Sequence, residues 1–183
     1  PREPALRAAR ARELVLNLRH RRVRGLRHQP EGAAEDVDRH APGSEIVANT
    51  KLMLSGGLQE PRDLIALLVL AVGSNPEQLE EVRADRRLVK PAVEETLRWA
   101  GPVGTSTRQT TETTELAGTK LEEGALIGAV LSSANRDPRR FTDPDRFDVH
   151  RREGAHLAFA VGSHFCLGAW FGRHLARVSL DIL

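Results

Sequence analysis

The sequence predicts a mainly α-helical protein that carries small β-sheets. Three observations predict it. Apolar residues recur at helical spacing through several long segments; helix starts are marked by capping residues; and one intervening stretch is rich in threonine and β-branched residues and broken by glycines. At 183 residues, with 40% hydrophobic and 28% charged residues, the chain is long enough to bury a core and reads as a soluble globular domain.

The elements follow in order. Residues 1–28 are Arg-rich, with Leu6, Leu14, Leu18 and Val23 at roughly helical intervals; they read as a basic, mostly solvated helix, or as a binding patch. Pro30, Gly32, Pro42 and Gly43 make residues 29–43 a loop. Ser44 reads as an N-cap and Glu45 as a first-turn acid favoured by the helix dipole. A long apolar segment at helix spacing then runs from Ile46 to Val72, interrupted by Gly56, Gly57 and Pro61. In a helix interior these cost about 1, 1 and 3 kcal/mol. Two readings stand: two helices joined by a turn, or one long helix distorted at its centre, where a ligand needs room.

Asn75-Pro76-Glu77-Gln78 is a compact helix start, with an N-cap, a proline at the first helical position and Gln three residues after the cap. A further helix starts near Pro91 and stops at Ala100-Gly101-Pro102. Thr105–Thr114 and Leu126–Leu131 read as short strands, broken at Gly118 and Gly124. Residues 135–155 are turn-rich. The last helix runs from about Ala169, with Phe171, Leu175, Val178 and Ile182 as its expected apolar stripe.

Several function classes are excluded. A net charge of +2, with only Lys51, Lys90 and Lys120 beside the arginines, calls for no nucleic acid. The longest apolar run, Leu64–Val72, is far short of the ~20 residues that cross a bilayer, and the Arg-rich start lacks the apolar core of a signal peptide. The single cysteine forms no internal disulfide and no Cys-rich zinc site; it fits a reducing, cytoplasmic setting. The chain starts without Met, as a fragment or processed piece would.

That cysteine sits in Phe159-Ala160-Val161-Gly162-Ser163-His164-Phe165-Cys166-Leu167-Gly168. Two glycines bracket it, so the backbone can pass close to a bulky flat partner. A helix follows, whose dipole and free N–H groups would stabilise a thiolate. Taken alone, a cysteine between glycines also suits an inert buried residue. A cysteine-nucleophile phosphatase would need His directly before the Cys and Arg six after; Phe165 and Gly172 stand there instead.

The pattern F-x-x-G-x-H-x-C-x-G, preceded by His156-Leu157-Ala158 and continued into a helix bearing Arg173, closely resembles the haem-binding signature of the cytochromes P450 of bacteria. The resemblance implies that Cys166 is the thiolate ligand of haem b iron and that Phe159 packs near the sulfur. It implies that Gly162 and Gly168 let the loop approach the porphyrin, and that His164 donates to a propionate. Glu95-Thr96-Leu97-Arg98 resembles the family's E-x-x-R, and Pro144-Asp145-Arg146-Phe147 the segment donating a second Arg, so Glu95, Arg98 and Arg146 are expected to form a buried triad. Arg108, after Pro102-Val103, resembles the Arg that meets the second propionate. Ala134-Asn135-Arg136-Asp137-Pro138 is similar to bacterial members in order and spacing.

The Gly-interrupted helix resembles the family's central distal helix. Gly56-Gly57-Leu58-Gln59-Glu60-Pro61 departs from the usual acid–alcohol pair, with Gln59 at the place of the acid and Glu60 at that of the alcohol. Glu60 is accordingly expected to deliver protons. The resemblance covers Ser44 to the end, with residues 1–43 leading in and residues 44–183 forming the haem-binding part; the N-terminal half of the family fold is absent, so the fold is incomplete. It implies a monooxygenase inserting one oxygen atom of O2 into a small organic substrate, with electrons from NAD(P)H through a ferredoxin or flavin-reductase partner and with no membrane. Two alternatives are a truncated, non-catalytic haem-binding remnant and a helical interaction protein.

Overall fold

The computed structural model describes residues 43–182, so the basic helix and most of the loop expected before them lie outside the described residues. The described residues fall into two units, 107–127 and 43–106 with 128–182.

The larger unit is helical. Its first helix, α1 (Gly43–Gly73), is continuous through Pro61, so the reading of two helices joined by a turn is set aside. Gly43 already belongs to the helix; Ser44 therefore lies in the first turn, not at the cap, while Glu45 does occupy that turn. Continuity is favoured because Pro61, Leu64, Leu68, Ala71 and Val72 form a buried stripe whose packing outweighs the local cost of proline. Only the second half of α1 is buried; Ile46, Val47, Leu52, Met53, Leu54 and Leu58 are exposed.

Helix α2 (Pro76–Ala84) opens with Pro76 at its first position, as the sequence predicts, but the expected capping box is not made. The Asn75 amide donates instead to Ala71 O (2.8 Å), closing the end of α1. Gln78 reaches across the fold: its amide donates to Phe147 O and its Oε1 accepts from Val149 N–H, both at 2.8 Å. Two long-range backbone groups outcompete the local cap, because both would otherwise stay half-buried without partners. A 3-10 turn, Arg86–Leu88, leads into α3 (Val89–Ala100). This helix begins two residues before Pro91 and ends at Gly101, where a Cβ would stand 2.7 Å from Leu97 O.

Strand β1 (Thr105–Gln109) pairs with β4 (Leu126–Val130). Between them β2 (Thr114–Leu116) and β3 (Thr119–Leu121) form an antiparallel hairpin with Glu115 opposite Lys120. Its turn is Ala117-Gly118, both at positive φ (50° and 76°), the two-residue turn whose twist matches that of the strands. In the smaller unit Thr110 closes the strand ends, donating N–H to Ala125 O (3.1 Å) and accepting at its carbonyl from Gly124 N–H (2.9 Å). The sequence extended the last strand to Leu131; that residue instead opens a one-turn helix, α4 (Leu131–Ala134).

The final helix, α5 (Ala169–Ile182), packs against α1 and α3. Its buried face is Ala169, Gly172, Ala176 and Leu180. The expected stripe is thus corrected: Phe171, Val178 and Ile182 are exposed and Leu175 is half-buried. Small residues at spacings of three and four let the helix backbones approach closely, which turns the bulky side chains outward by about one residue's rotation of 100°. The core joins α1, Val82, the Val89, Ala92, Val93 and Leu97 face of α3, Phe147, Val149, Ala176 and Leu180.

Candidate functional site

The cysteine loop is built by backbone hydrogen bonds. Leu157 N–H donates to Asn135 Oδ1 (2.7 Å), anchoring the strand of chain that enters it. Ala160 (φ 57°) and Gly162 (φ 78°) then turn the backbone back through a 3-10 turn, Gly162–His164. Phe165 N–H donates to Gly162 O and Cys166 N–H to Phe159 O, each at 3.0 Å. Ala169 N–H donates to Cys166 O (3.2 Å), so α5 starts three residues past the sulfur. Cys166 is exposed with a free thiol, and a Cβ on Gly168 would lie 3.9 Å from Sγ.

Along the chain to either side of Cys166, Val161, Phe165, Leu167 (94% exposed) and Trp170 (74% exposed) are all open. Large apolar side chains grouped at a surface mark a binding face. Phe159 lies beneath, packed on the core, with its ring centroid 6.5 Å from that of Phe165. His164 is exposed in the turn. Arg108 belongs to the smaller unit, where its Nη1 donates to Thr107 O (2.8 Å).

Behind the loop sits a buried charge network. Arg98 holds Glu95 in a fork, Nε to Oε2 at 2.8 Å and Nη2 to Oε1 at 2.7 Å. Their side chains are only 2% and 4% exposed. Arg98 also donates to the carbonyls of Asn135, Pro144 and Arg146 and lies over the Phe141 ring. Glu95 Oε1 further accepts from Asp148 N–H (3.0 Å) and from Arg151 Nε (3.1 Å).

The expected third member, Arg146, is therefore corrected. Its side chain is exposed and only its carbonyl joins the network, accepting from both Arg98 and Arg151. The guanidinium is that of Arg151, which also donates to Thr142 O, Asp143 O and Glu153. Burial opposes its charge, yet Glu95 and Glu153 more than compensate and raise its pKa. A signal was present: Phe147, Val149 and Arg151 alternate inward while Arg146 and His150 face solvent, a period of two.

A second cluster was missed altogether. Glu94 accepts from Arg173 through both oxygens (2.8 and 3.0 Å) and stands 3.2 Å from His156 Nε2. Ala158 N–H donates to His156 Nδ1 (3.2 Å), so the ring proton sits on Nε2, toward Glu94. Arg173 lies over the Phe159 ring, 4.4 Å from its centroid. Burial pushes the Glu94 carboxyl up, but His156 and Arg173 outweigh it and hold it at about 2. An unfolded Glu takes its proton near pH 4.5, so this stabilisation is complete above that pH and lost as pH falls toward 2. After screening of the partly exposed pair it amounts to about 1–2 kcal/mol. Glu94→Gln should flatten this acid limb in urea unfolding measured across pH.

On α1, Gly56 and Gln59 are exposed, and Gly57 and Glu60 are half-buried. A Cβ at Gly56 or Gly57 would meet nothing within 4 Å. Glu60 Oε2 is buried and, among the described residues, has no hydrogen-bond partner. No group of three or more potential metal-ligating His, Cys, Asp or Glu residues occurs among the described residues, and no helix there is long and apolar enough to cross a membrane.

Comparison with known proteins agrees with this geometry. The family model described as Cytochrome P450 matches residues 66–183. Cytochrome P450 107B1 of Saccharopolyspora erythraea is 42% identical over 152 residues, 82% of this chain and 37% of the relative. The monooxygenase PikC of Streptomyces venezuelae is 41% identical, over 76% of this chain and 34% of its own length. The tirandamycin C-bound P450 monooxygenase TamI superposes with a TM-score of 0.77 at 38% identity, covering 82% of this chain and 38% of that one. The matches thus span only about a third of each relative's length. With its cysteine loop and the Glu95–Arg98 helix behind it, the chain belongs to the cytochrome P450 family.

Proposed function

We propose that this chain is the haem-thiolate part of a cytoplasmic monooxygenase acting on a small organic substrate. The observation that carries the reading is the exposed Cys166 thiol, set just before α5 and flanked along the chain by exposed apolar side chains. These residues fit haem: one soft sulfur ligand, and exposed apolar side chains at Val161, Phe165, Leu167 and Trp170 on the chain to either side of it. Haem b bound there would activate O2, one atom entering the substrate and one leaving as water, with electrons from NAD(P)H through a ferredoxin or flavin-reductase partner.

The chain's own residues divide that work. The α5 N-terminus favours the anionic form of Cys166. Phe159 O holds the Cys166 amide, and Gly162 supplies the backward turn. His164, from the turn before the sulfur, is the group offered to one propionate; for the other, the family resemblance alone points to Arg108, a guanidinium suited to a carboxylate.

Glu60 is the proton donor, at Oε2, with Gln59 beside it and Gly56 and Gly57 leaving room on the same helix; the buried, unpartnered oxygen supports this role. Replacing Glu60 by Ala should raise electron consumption per product; unchanged coupling would remove it from the reaction.

The test of the whole reading is the spectrum of the reduced carbon-monoxide complex. A thiolate-type, red-shifted Soret band is expected, and Cys166→Ser should abolish it. If the band is absent, or survives the substitution, the haem-thiolate reading is overturned. Turnover with a generic ferredoxin system separates a working enzyme from a haem-binding remnant.

A further inference from the structure

Consecutive residues on a helix point about 100° apart. Glu94 and Glu95 use that angle to grip two different parts of the chain from one turn of α3. Glu95 holds the segment that contains Asp148 and Arg151. Glu94 holds the segment leading into the cysteine loop, through His156, and the first turns of α5, through Arg173.

From Glu94 two short paths lead toward the sulfur. In one, His156 takes the Ala158 N–H, which fixes the residue before Phe159. In the other, Arg173 is held over the Phe159 ring, and that ring abuts Gly172, where a Cβ would already be in contact at 4.0 Å. Both paths end on Phe159, whose carbonyl takes the Cys166 N–H. With Arg173 released, the guanidinium would lose its partner carboxylate and Phe159 its cover. Among the described residues the hydrogen bonds of Glu94 go to His156 and Arg173, so it acts through them.

We propose that Glu94 is a positioning residue for the Cys166 loop, setting the height and orientation of the thiolate by clamping Phe159 through His156 and Arg173. The inference rests on the haem-thiolate reading above. Groups hydrogen-bonded directly to a metal ligand characteristically change metal retention by about 10–100-fold when removed; Glu94 stands further back, behind Phe159, so its effect is expected at the lower end of that range.

The experiment uses the full haem-loaded protein and two readouts besides turnover: the rate of haem transfer to an excess of apo-globin, and the Soret band of the reduced carbon-monoxide complex. Glu94→Ala is expected to lose haem about 10-fold faster and to move part of the complex from the thiolate-type to the thiol-type band. Glu94→Gln keeps the shape and one hydrogen bond but not the charged fork, so it should fall between. Adding Arg173→Met to Glu94→Ala should cost little more, because the two act as one unit.

If Glu94→Ala fails to fold, Glu94→Gln decides: wild-type haem retention with an unaltered band overturns the proposal, and faster loss with a mixed band supports it. Additive effects of Glu94 and Arg173 also overturn it. Cys166→Ser separates this from the parent reading. Should the thiolate band be missing from the parent, the haem-thiolate reading fails; should it be present and unmoved in both Glu94 variants, only the positioning role falls.

Discussion

Arg98→Lys is expected to destabilise the protein by about 3–5 kcal/mol, although it conserves charge. The guanidinium makes two bonds to Glu95 and reaches the carbonyls of Asn135, Pro144 and Arg146 from a site that is almost sealed. An ammonium is a single point with a shorter reach. It can keep one carboxylate contact, but it leaves several buried carbonyls without donors, each costing about 1–3 kcal/mol if water cannot enter. Thermal or urea unfolding of the variant measures the loss. A change below 1 kcal/mol would mean that the segment around Pro144–Arg146 is not held by this side chain.

The second large effect separates two arginines five residues apart. Arg151→Ala should cost about 3 kcal/mol, because Glu95 loses one cation and the carbonyls of Thr142, Asp143 and Arg146 lose a donor together. Arg146→Ala should stay within about 0.5 kcal/mol, since its side chain is exposed and its carbonyl, which does the work, is kept. Parallel unfolding curves decide the matter, and the reverse order would restore Arg146 to the triad.

These two arginines also mark where sequence reading succeeds and where it stops. Glu95 and Arg98 are legible through the E-x-x-R resemblance, and a spacing of three on a helix lets them share one face. The arginine that completes them lies on irregular chain, where no helix angle selects it; the motif pointed to Arg146, and only the inward alternation of Phe147, Val149 and Arg151 points to the right one. Glu94 was illegible for a different reason. Its partners lie 62 and 79 positions away, and nothing local distinguishes it from a solvated acid.

The helices show the same division. Helix α2 is announced by Asn75-Pro76, yet Gln78 abandons the cap for the backbone at Phe147 and Val149, a tertiary competition invisible in the local pattern. The apolar stripe of α5 was displaced by one residue because the eye follows bulky side chains, whereas close helix packing here buries Gly172 and Ala176. The continuity of α1 through Pro61 could not be decided from propensity, which counts the cost of the proline and not the gain of the stripe beyond it. In the cysteine loop the turn at Gly162 and the helix start at Ala169 were legible, since both lie within a few residues of Cys166.

Helix α3 carries a consequence for how this chain can vary. Because adjacent carboxylates address unrelated partners, its length is fixed more strictly than its composition. One inserted or deleted residue between Val89 and Glu94 would swing both acids by about 100° and shear the anchorage of two distant stretches at once. Lineages of such chains should therefore accept exchanges on the outer side of this helix freely, while tolerating no change of frame along it.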